Sequence, residues 1–318
     1  LDVLSWIASI AALRRRAELL ARLRQYFADQ GVMEVETPLL ASAPVTDPNI
    51  DAITTAHPAG GEHPMYLQTS PEFAMKRLLA AGSGSIYQIC KAFRCGERGR
   101  RHNPEFTMLE WYRTDRDFGG LIDEVVAVVQ LAVGSQPILR LTYAEAFARY
   151  CDLDPFGASL SELRDYAARN MELSFDSDDR DLWLQLLMST QVEPAMPEDH
   201  IVVVSDFPAS QAALAKVTCV DGQEVARRFE VFYRGMELAN GYDELRDAGE
   251  LLRRIRRDHE VRQGAGQSLP PIDRLLLKAM QAGLPQCVGV AMGLDRLVML
   301  SNDAHRIDEV IAFPLERC

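Results

Sequence analysis

The sequence predicts an α+β fold that combines antiparallel hairpins with amphipathic helices. Two runs rich in strand-forming residues, Ile86 to Arg94 and Glu105 to Arg113, flank a basic stretch that contains two glycines and a proline. This pattern predicts a hairpin with a long turn. A second pair of strands is predicted around Arg234-Gly235, and residues 121–188 are predicted to be mostly helical.

The first element is predicted to be an amphipathic helix from Ile10 to Gln30, since leucines and a phenylalanine recur at helical spacing opposite arginines. Gly31 is a typical helix end. Residues Val32 to Leu40 alternate like a strand, and Pro38 restricts that strand to an edge or a bulge. On this evidence alone, the two elements form an ordinary piece of core.

A helix is predicted to begin at Ser70-Pro71-Glu72, after a strand that ends at Thr69. Serine suits the N-cap, proline the first helical position and glutamate the first turn. Later in the chain, residues 200–208 predict a buried strand, and residues 247–263 a charged helix that is followed by a second helix. The last strand runs from Cys287 to Gly293, and a helix begins near Leu294.

The composition of the chain limits the classes of function that it could have. The chain has 318 residues, of which 47% are hydrophobic and 25% charged, as in soluble globular proteins. Its net charge of −12 disfavours general binding of nucleic acid, which depends on phosphate neutralisation. The six cysteines form no C-x-x-C pair and have no zinc-site spacing, which indicates buried, reduced thiols. The opening apolar run is too short for a membrane span, and its arginines follow it, unlike those of a signal peptide.

The hairpin carries residue types that bind charged small molecules. Glu110 and Tyr112 share one face of the return strand and would suit an ammonium group. Arg94 lies at the mouth of the turn, and its planar fork would suit a phosphate. The alternative is a solvated charged hairpin, since most charge runs are solvated. For Ser70 and Glu72, the helix start is likewise a complete structural explanation.

Two further stretches carry candidate residues. Glu237 and Asn240 lie on a predicted strand, and a carboxylate there would suit Mg²⁺. A simple pleat puts the two on opposite faces, so a shared site requires a bulge near Gly241. Arg296 is predicted in the first turn of a helix, where a bound phosphate would offset its unfavourable position. The alternatives are a polar outer sheet face and an ordinary ion pair of Arg296.

The order Phe93-Arg94, a glycine-containing basic turn and then HNPEFTMLEWY resembles motif 2 of class II aminoacyl-tRNA synthetases, and lysyl-tRNA synthetases most closely. Residues of about 13–40 and about 287–300 are similar to motifs 1 and 3, and motif 2 covers about 86–113. The resemblance covers the whole chain. It implies one class II catalytic domain over residues 1–318, built on an antiparallel sheet flanked by helices, and a homodimer formed through motif 1.

The resemblance also implies residue roles in forming an aminoacyl-adenylate from ATP with Mg²⁺. Arg94 and Arg296 would be the catalytic arginines, and both would hold ATP. The other residues implied for ATP are Gly96, Glu97, Asn103, Phe106, Glu237, Leu238 and Gly293. Those implied for the amino-acid substrate are Ser70, Pro71, Glu72, Glu110, Tyr112, Asn240, Glu244 and Ala291. Glu237 and Glu244 would bind the metal. Gly96 stands where the family usually has a glutamate, and Glu97 follows it.

No anticodon-binding domain is expected, because motif 1 begins near the start of the sequence. The chain therefore most resembles the short synthetase paralogues that modify translation elongation factor P, the elongation factor P–lysine ligases. FPASQAALA and GMELANGYDEL are similar to that family, and Ala291 replaces a glycine usual in tRNA-charging relatives. The resemblance implies a cytoplasmic ligase for lysine or (R)-β-lysine, with elongation factor P as partner and neither a membrane nor a stable nucleic-acid partner. A stand-alone tRNA or small-molecule ligase and a catalytically silent paralogue are the alternatives.

Overall fold

A computed structural model describes residues 8–318 and divides the chain into two compact units. The first unit comprises the chain up to Gly134 together with Asp243–Cys318, and the second is Ser135–Tyr242. Much of the opening apolar run, for which the sequence predicted neither a membrane span nor a signal peptide, lies outside the described residues. The prediction of one catalytic domain over residues 1–318 stays a prediction.

The first unit contains two sheets and most of the long helices. In chain order its elements are α1 (Ile10–Asp29), β1 (Met33–Glu34), β2 (Leu40–Ala41), β3 (Thr54–Thr55), β4 (Met65–Leu67), α2 (Glu72–Ala80), β5 (Ile86–Phe93), β6 (Glu105–Arg113) and α3 (Phe118–Val133). Within its main sheet, β1 pairs parallel with β5, and β5 pairs antiparallel with β6. The small second sheet has the order β2-β4-β3.

The predicted hairpin is confirmed, because β5 and β6 pair in register from Ile86↔Tyr112 to Phe93↔Glu105. Helix α1 packs on this hairpin through its apolar stripe. The ring of Phe27, on α1, stacks on Tyr87 at a centroid distance of 4.4 Å and meets Trp111 edge-on at 5.4 Å. Such buried aromatic pairs fix a helix rigidly against strands. Strand β5, which leads directly into Arg94, and strand β6, which carries Glu110, are therefore held by a packed core.

The second unit has its own core. Its elements are β7 (Ile138–Thr142), α4 (Tyr143–Cys151), α5 (Leu160–Asn170), α6 (Arg180–Leu187), α7 (Glu193–Ala195), β8 (Ile201–Pro208), β9 (Val217–Val220), β10 (Gln223–Tyr233) and β11 (Met236–Asp243). Strand β10 pairs antiparallel with β8, β9 and β11, whereas β7 pairs parallel with β8. Buried aromatic side chains, including Tyr143, Phe147 and Trp183, form the core.

The chain then returns to the first unit. Helices α8 (Ala248–Gly264) and α9 (Arg274–Gly283) precede β12 (Val288–Gly293) and α10 (Leu294–Ser301). Strand β12 pairs antiparallel with β6, from Val288↔Arg113 to Gly293↔Met108. The predicted α+β class is confirmed, and so are the helix over 247–263 and the strand that ends at Gly293. Antiparallel strands dominate both units, and helices flank the sheets.

Three predicted elements differ from the structure. The strand predicted over Val32–Leu40 is mostly wrong, since only Met33–Glu34 and Leu40 pair, and Pro38 between them has no N–H to donate. The strand Ile138–Thr142 was missed within the region predicted to be mostly helical. Helix α2 begins one residue later than predicted, with Pro71 at its N-cap. The first two errors come from short strands, which carry little periodicity.

Within residues 8–318, no helix is long and apolar enough to cross a membrane. All six cysteines have free thiols, but the prediction that they are buried is wrong for Cys95, Cys219 and Cys318, which are exposed.

Candidate active site

The residues before α2 connect the helix start to the hairpin. The Ser70 hydroxyl accepts a hydrogen bond of 3.0 Å from the Glu72 N–H and donates one of 2.7 Å to Glu110 Oε2. Ser70, one residue before the N-cap, therefore both accepts from the first N–H of the helix and orients a carboxylate on β6. Pro71 is buried beside it. The role of Ser70 in binding the substrate stays a prediction.

Three carboxylates and one buried lysine form an acidic pocket in the first unit. We call Glu72, Lys76, Glu110, Tyr112 and Glu244 the acidic pocket. The Lys76 Nζ lies 2.6 Å from Glu72 Oε1 and 2.6 Å from Glu244 Oε2. The Tyr112 hydroxyl donates a hydrogen bond of 2.7 Å to Glu110 Oε1. Glu72 and Lys76 lie on α2, Glu110 and Tyr112 lie on β6, and Glu244 directly follows β11.

Burial makes the pocket electrostatically unusual. Desolvation and the neighbouring Glu72 raise the pKa of Glu110 to about 8. Desolvation also raises the pKa of Glu244 to about 7, although Lys76 acts in the opposite direction. Burial alone would lower the pKa of Lys76, but Glu244 and Glu72 outweigh it, so the lysine stays protonated. Perturbed pKa values that cluster in one place are typical of functional sites.

Strand β12 runs alongside the acidic pocket. Ala291 lies opposite Glu110, and Gly289 lies opposite Tyr112 in the antiparallel register. A side chain at position 289 would overlap Glu244 Oε1 and the Tyr112 ring. Among the described residues, Glu244 Oε1 has no hydrogen-bond partner, so this buried oxygen remains available to a donor from a ligand. The glycine therefore keeps the space in which both groups sit.

The loop between β5 and β6 carries the predicted phosphate-binding arginine. The Arg94 guanidinium lies over the Phe106 ring at 5.1 Å from its centroid, and its Nη1 lies 3.5 Å from Glu97 Oε1. The buried Arg94 Nε has no hydrogen-bond partner among the residues described. Gly96 has a φ of 77°, which glycine adopts without strain. Arg94, Phe106 and Glu97 are thus brought together as the motif implied.

Asn103 is held by the protein's own backbone. Its Nδ2 donates a hydrogen bond of 2.6 Å to the Glu105 carbonyl, and its Oδ1 accepts one of 3.1 Å from the Leu315 N–H. The Ile307 N–H also donates to the Arg100 carbonyl at 3.0 Å. These contacts tie the loop to the C-terminal segment. The role of Asn103 in binding ATP stays a prediction, because both ends of its amide already have partners.

Arg296 is confirmed in the first turn of α10, whose N-cap is Gly293. One of its Nη atoms lies 2.6 Å from His102 Nε2, which joins α10 to the loop of the hairpin. The preceding residue, Asp295, is buried and accepts a hydrogen bond of 2.6 Å from the Thr107 N–H. The start of α10 is therefore anchored to β6 through Asp295, and it places Arg296 beside the loop between β5 and β6.

The remaining predicted residues, Glu237, Leu238 and Asn240, lie on β11 in the second unit. Glu237 pairs with Phe232, and Asn240 pairs with Glu230, with a register shift between these pairs. Cross-strand partners share a face, so Glu237 and Asn240 point to the same side. The required bulge exists, but it lies at Leu238 and not near Gly241 as predicted. Leu238 itself is buried.

Sequence reasoning missed Lys76 and Gly289. Lys76 lies four residues after Glu72 on α2, a spacing that allows an ion pair and was a usable signal. Its second partner, Glu244, is too far along the chain for any local pattern to indicate. Gly289 had no local signal, since only the packed neighbours show why a side chain is excluded.

The profile of the family described as tRNA synthetases class II (D, K and N) matches residues 7–317. The chain belongs to this class II family. A protein of Erwinia tasmaniensis named elongation factor P–(R)-β-lysine ligase is 47% identical, with 100% of this chain and 99% of the relative covered. Proteins of the same name from Yersinia enterocolitica and Salmonella dublin are also 47% identical.

Membership of the class II family confirms the resemblance found in the sequence. For the Yersinia protein 99% of each chain is covered, and for the Salmonella protein 98% of this chain and 97% of the relative. The match is therefore end to end, and the acidic pocket, the basic loop and the start of α10 all lie inside the matched region. The individual roles of the site residues in this class II protein remain predictions.

Proposed function

We propose that this chain activates lysine or (R)-β-lysine with ATP as an aminoacyl-adenylate and transfers the aminoacyl group to a lysine of translation elongation factor P. One observation carries the choice of substrate, namely the three carboxylates of the acidic pocket, of which Glu110 and Glu244 are buried, around a single buried lysine. A diamino acid brings two ammonium groups, which such a pocket would bind. The end-to-end similarity to ligases of that name supports the acceptor.

The amino-acid side of the site consists of Ser70, Glu72, Glu110, Tyr112 and Glu244. Ammonium groups would bind to Glu72, Glu110 and Glu244, with Tyr112 as a further acceptor. Pro71 supports the helix start, and Asn240 is assigned to the same substrate. Ala291, opposite Glu110, would place a methyl group in the pocket where tRNA-charging relatives usually have glycine. One methyl changes discrimination by about 1–3 kcal/mol, which would favour one lysine isomer without excluding the other.

The ATP side of the site is assigned to the loop between β5 and β6 and to α10. The partnerless Nε of Arg94 and its place over Phe106 fit a bound nucleotide, which would give the arginine a phosphate and the ring a stacked base. Glu97 would orient Arg94, and Gly96 would admit the nucleotide close to the backbone. Arg296 at a helix N-terminus would hold a phosphate, with Gly293 beside it. Asn103 and Leu238 complete the assignment.

Mg²⁺ binding is proposed at Glu237, with Glu244 as a second candidate ligand. Among the described residues, no group of three or more His, Cys, Asp or Glu side chains is arranged so that it could hold a metal ion. That result fits Mg²⁺, which typically uses one or two protein carboxylates plus substrate phosphates. When bound, the ion would offset charge on the phosphates. Lys76 already pairs with Glu244, so we give the metal role chiefly to Glu237.

The proposed reaction has two steps. A carboxylate oxygen of the amino acid attacks the α-phosphorus of ATP, and pyrophosphate leaves. The amine of an acceptor lysine then attacks the carbonyl carbon, an amide bond forms, AMP leaves and a proton is released. Arg94 and Arg296 would stabilise negative charge in the first step, and the acidic pocket would orient the substrate. No covalent enzyme intermediate is required.

A homodimer through motif 1, which includes α1, and a cytoplasmic location are part of the same proposal. Neither a membrane nor a stable nucleic-acid partner is expected. The net charge of −12 supports a protein acceptor over a polyanionic one. Gel filtration with light scattering would measure the oligomeric state directly.

Acceptor transfer tests the function. The protein would be incubated with ATP, Mg²⁺ and either α-lysine or (R)-β-lysine, with elongation factor P and lysine tRNA offered side by side. Mass spectrometry of the factor and acid precipitation of the tRNA would record the product. We expect modification of the factor, faster with the β-isomer. Charging of tRNA alone would instead indicate a minimal synthetase, and no adenylate with any amino acid would indicate a silent paralogue.

A further inference from the structure

Helix α8 carries a buried arginine that the proposed chemistry does not use. Arg262 is 2% exposed, and a charge so deeply buried is costly unless protein groups pair with it. Its Nη2 donates hydrogen bonds of 2.8 Å to the Asp47 carbonyl and 2.7 Å to the Ile50 carbonyl, and its Nε donates one of 3.1 Å to the Thr46 carbonyl. Its Nη1 lies 3.0 Å from Asp51 Oδ1. One guanidinium therefore fixes the backbone path of a single loop.

Two further contacts attach residues 46–51, which we call the clamped loop, to the same part of the chain. The Thr46 hydroxyl donates a hydrogen bond of 2.7 Å to Asp258 Oδ2 on α8. The Gln267 side-chain amide, shortly after the end of that helix, donates one of 3.3 Å to the Pro48 carbonyl. Loops usually move more than the elements that they connect, so this number of anchors to one helix end is expected to make the clamped loop rigid.

The clamped loop also reaches the arginine that is assigned to ATP. The Asp51 carbonyl accepts a hydrogen bond of 2.7 Å from the Cys95 N–H, directly after Arg94. The Arg94 N–H itself donates one of 2.9 Å to the Pro104 carbonyl. The backbone at Arg94 is thus held from two sides, by its own hairpin and by a loop whose position depends on Arg262.

We propose that Arg262 is a positioning residue for ATP, because it fixes the clamped loop and, through the hydrogen bond between Asp51 and Cys95, the backbone from which Arg94 reaches the phosphates. This inference rests on the proposed function for the role of Arg94. The guanidinium of Arg262 is already occupied by protein acceptors, so it acts through the loop and not on the nucleotide. A displacement of about 1 Å at a group that orients a substrate can lower a rate by about a hundredfold.

The test compares Arg262→Lys with Arg180→Lys. Lysine keeps the positive charge but not the planar fork, so it cannot reach acceptors along the whole clamped loop. Arg180 is the matched control, since it donates in the same way to the carbonyls of Pro155 and Ala158 in the second unit. Pyrophosphate exchange would give KM for ATP and for (R)-β-lysine. In Arg262→Lys we expect KM for ATP to rise about tenfold or more, with KM for β-lysine within about twofold of the wild type. In Arg180→Lys both values should stay within about twofold.

Hydrogen exchange of the Cys95 N–H provides a second measurement that does not depend on activity. This N–H donates to the Asp51 carbonyl, and mass spectrometry of the peptide that contains Cys95 would follow its deuterium uptake. A freed clamped loop would weaken that hydrogen bond, so we expect exchange about tenfold faster in Arg262→Lys and unchanged in Arg180→Lys. Exchange at the wild-type rate in Arg262→Lys would contradict the connection between the two loops.

An unchanged KM for ATP in folded Arg262→Lys, or equal increases in both KM values, would overturn the inference. If that variant does not fold, Thr46→Val decides the question, because it removes the hydrogen bond to Asp258 and leaves Arg262 in place. There we expect KM for ATP to rise about threefold with KM for β-lysine constant, and no rise would overturn the inference. A wild-type protein that forms no adenylate would refute the proposed function instead, while exchange of the Cys95 N–H would still test Arg262.

Discussion

Arg16 on α1 donates a hydrogen bond of 2.6 Å to Asp295 Oδ1 at the start of α10. The same arginine donates another of 2.7 Å to the Thr107 hydroxyl, and Asp295 Oδ2 accepts from the Thr107 N–H. Helix α1, strand β6 and helix α10 therefore meet at the buried carboxylate of Asp295, the residue directly before Arg296. Arg16 lies within motif 1, Thr107 within motif 2 and Asp295 within motif 3, so this contact joins the three family motifs.

Replacing Asp295 with alanine should destabilise the protein strongly. The change leaves Arg16 without its partner and removes an acceptor for a buried N–H, and breaking such a pair costs about 3–5 kcal/mol. Urea unfolding would measure the loss. Asp178→Ala is the control, since that carboxylate is 98% exposed in its pair with Arg164 and should cost less than about 1 kcal/mol. Equal losses in both variants would contradict the anchoring role.

Arg296→Ala should abolish adenylate formation while the protein stays folded. The guanidinium lies at the surface end of α10, near His102, so its removal leaves the core intact. Loss of a charged group that stabilises phosphate is expected to lower kcat for pyrophosphate exchange by about a hundredfold or more. Arg253→Ala, at a side chain that is 67% exposed, is the matched control. Wild-type turnover in Arg296→Ala would refute the ATP assignment.

Glu244→Gln should weaken binding of lysine or β-lysine far more than binding of ATP. Glutamine keeps the shape but loses the charge that would pair with an ammonium group, and such charged contacts are worth about 1.5–3 kcal/mol. KM for the amino acid is expected to rise about tenfold or more, with KM for ATP nearly constant. Equal increases in both would exclude the role given to Glu244 and would favour its role as a metal ligand.

Gly289→Ala should impair both stability and substrate binding. The added methyl group would overlap Glu244 Oε1 and the Tyr112 ring, which are packed in the acidic pocket. Overpacking of this kind costs about 1–3 kcal/mol. The control is Gly264→Ala at the end of α8, where a Cβ meets nothing within 4 Å, so no loss is expected there. An unchanged Tm and KM for β-lysine in Gly289→Ala would show that the pocket can move aside.

Stability without substrate should fall as pH rises from about 5 to about 8. The pKa values of Glu110, about 8, and Glu244, about 7, lie above the usual value of 4.5, so the folded state binds more protons than the unfolded state in this range. Each such group lowers stability by up to about 1.4 kcal/mol per pH unit. Tm measured from pH 5 to pH 9 would test this, and Glu110→Gln should flatten the curve. A Tm that rises across this window, after correction with that variant, would contradict the raised pKa values.

The sequence predicted the hairpin well because its signals are local and consistent. Strand-forming runs, glycines and a proline all indicated the same two strands, and β6 runs from Glu105 to Arg113 as predicted. The strand over Val32–Leu40 failed because alternation there does not ensure a pairing partner, and a proline interrupts the ladder. The bulge was placed near Gly241, although the register shift that aligns Glu237 with Asn240 occurs at Leu238.

The sequence predicted which carboxylates belong to the candidate site, but it did not predict their ion pairs with Lys76 or their raised pKa values. Family motifs indicated Glu72, Glu110 and Glu244 without showing that one lysine serves two of them. The Lys76–Glu244 contact depends on how α2 and the segment after β11 pack, and no window of sequence contains both residues. The partners of Asn103 were equally hidden, because one of them, Leu315, lies near the opposite end of the chain.

Because Asn103 accepts a hydrogen bond from Leu315, the loop between β5 and β6 does not move independently of the C-terminal segment. The loop is also joined to the C-terminal segment by the hydrogen bond from the Ile307 N–H to the Arg100 carbonyl and by the Arg98–Glu316 ion pair. Work that adds an affinity tag or a fusion partner directly after Cys318 would therefore disturb the loop proposed to bind ATP. Immobilisation or labelling of the protein is better done at exposed side chains of α5.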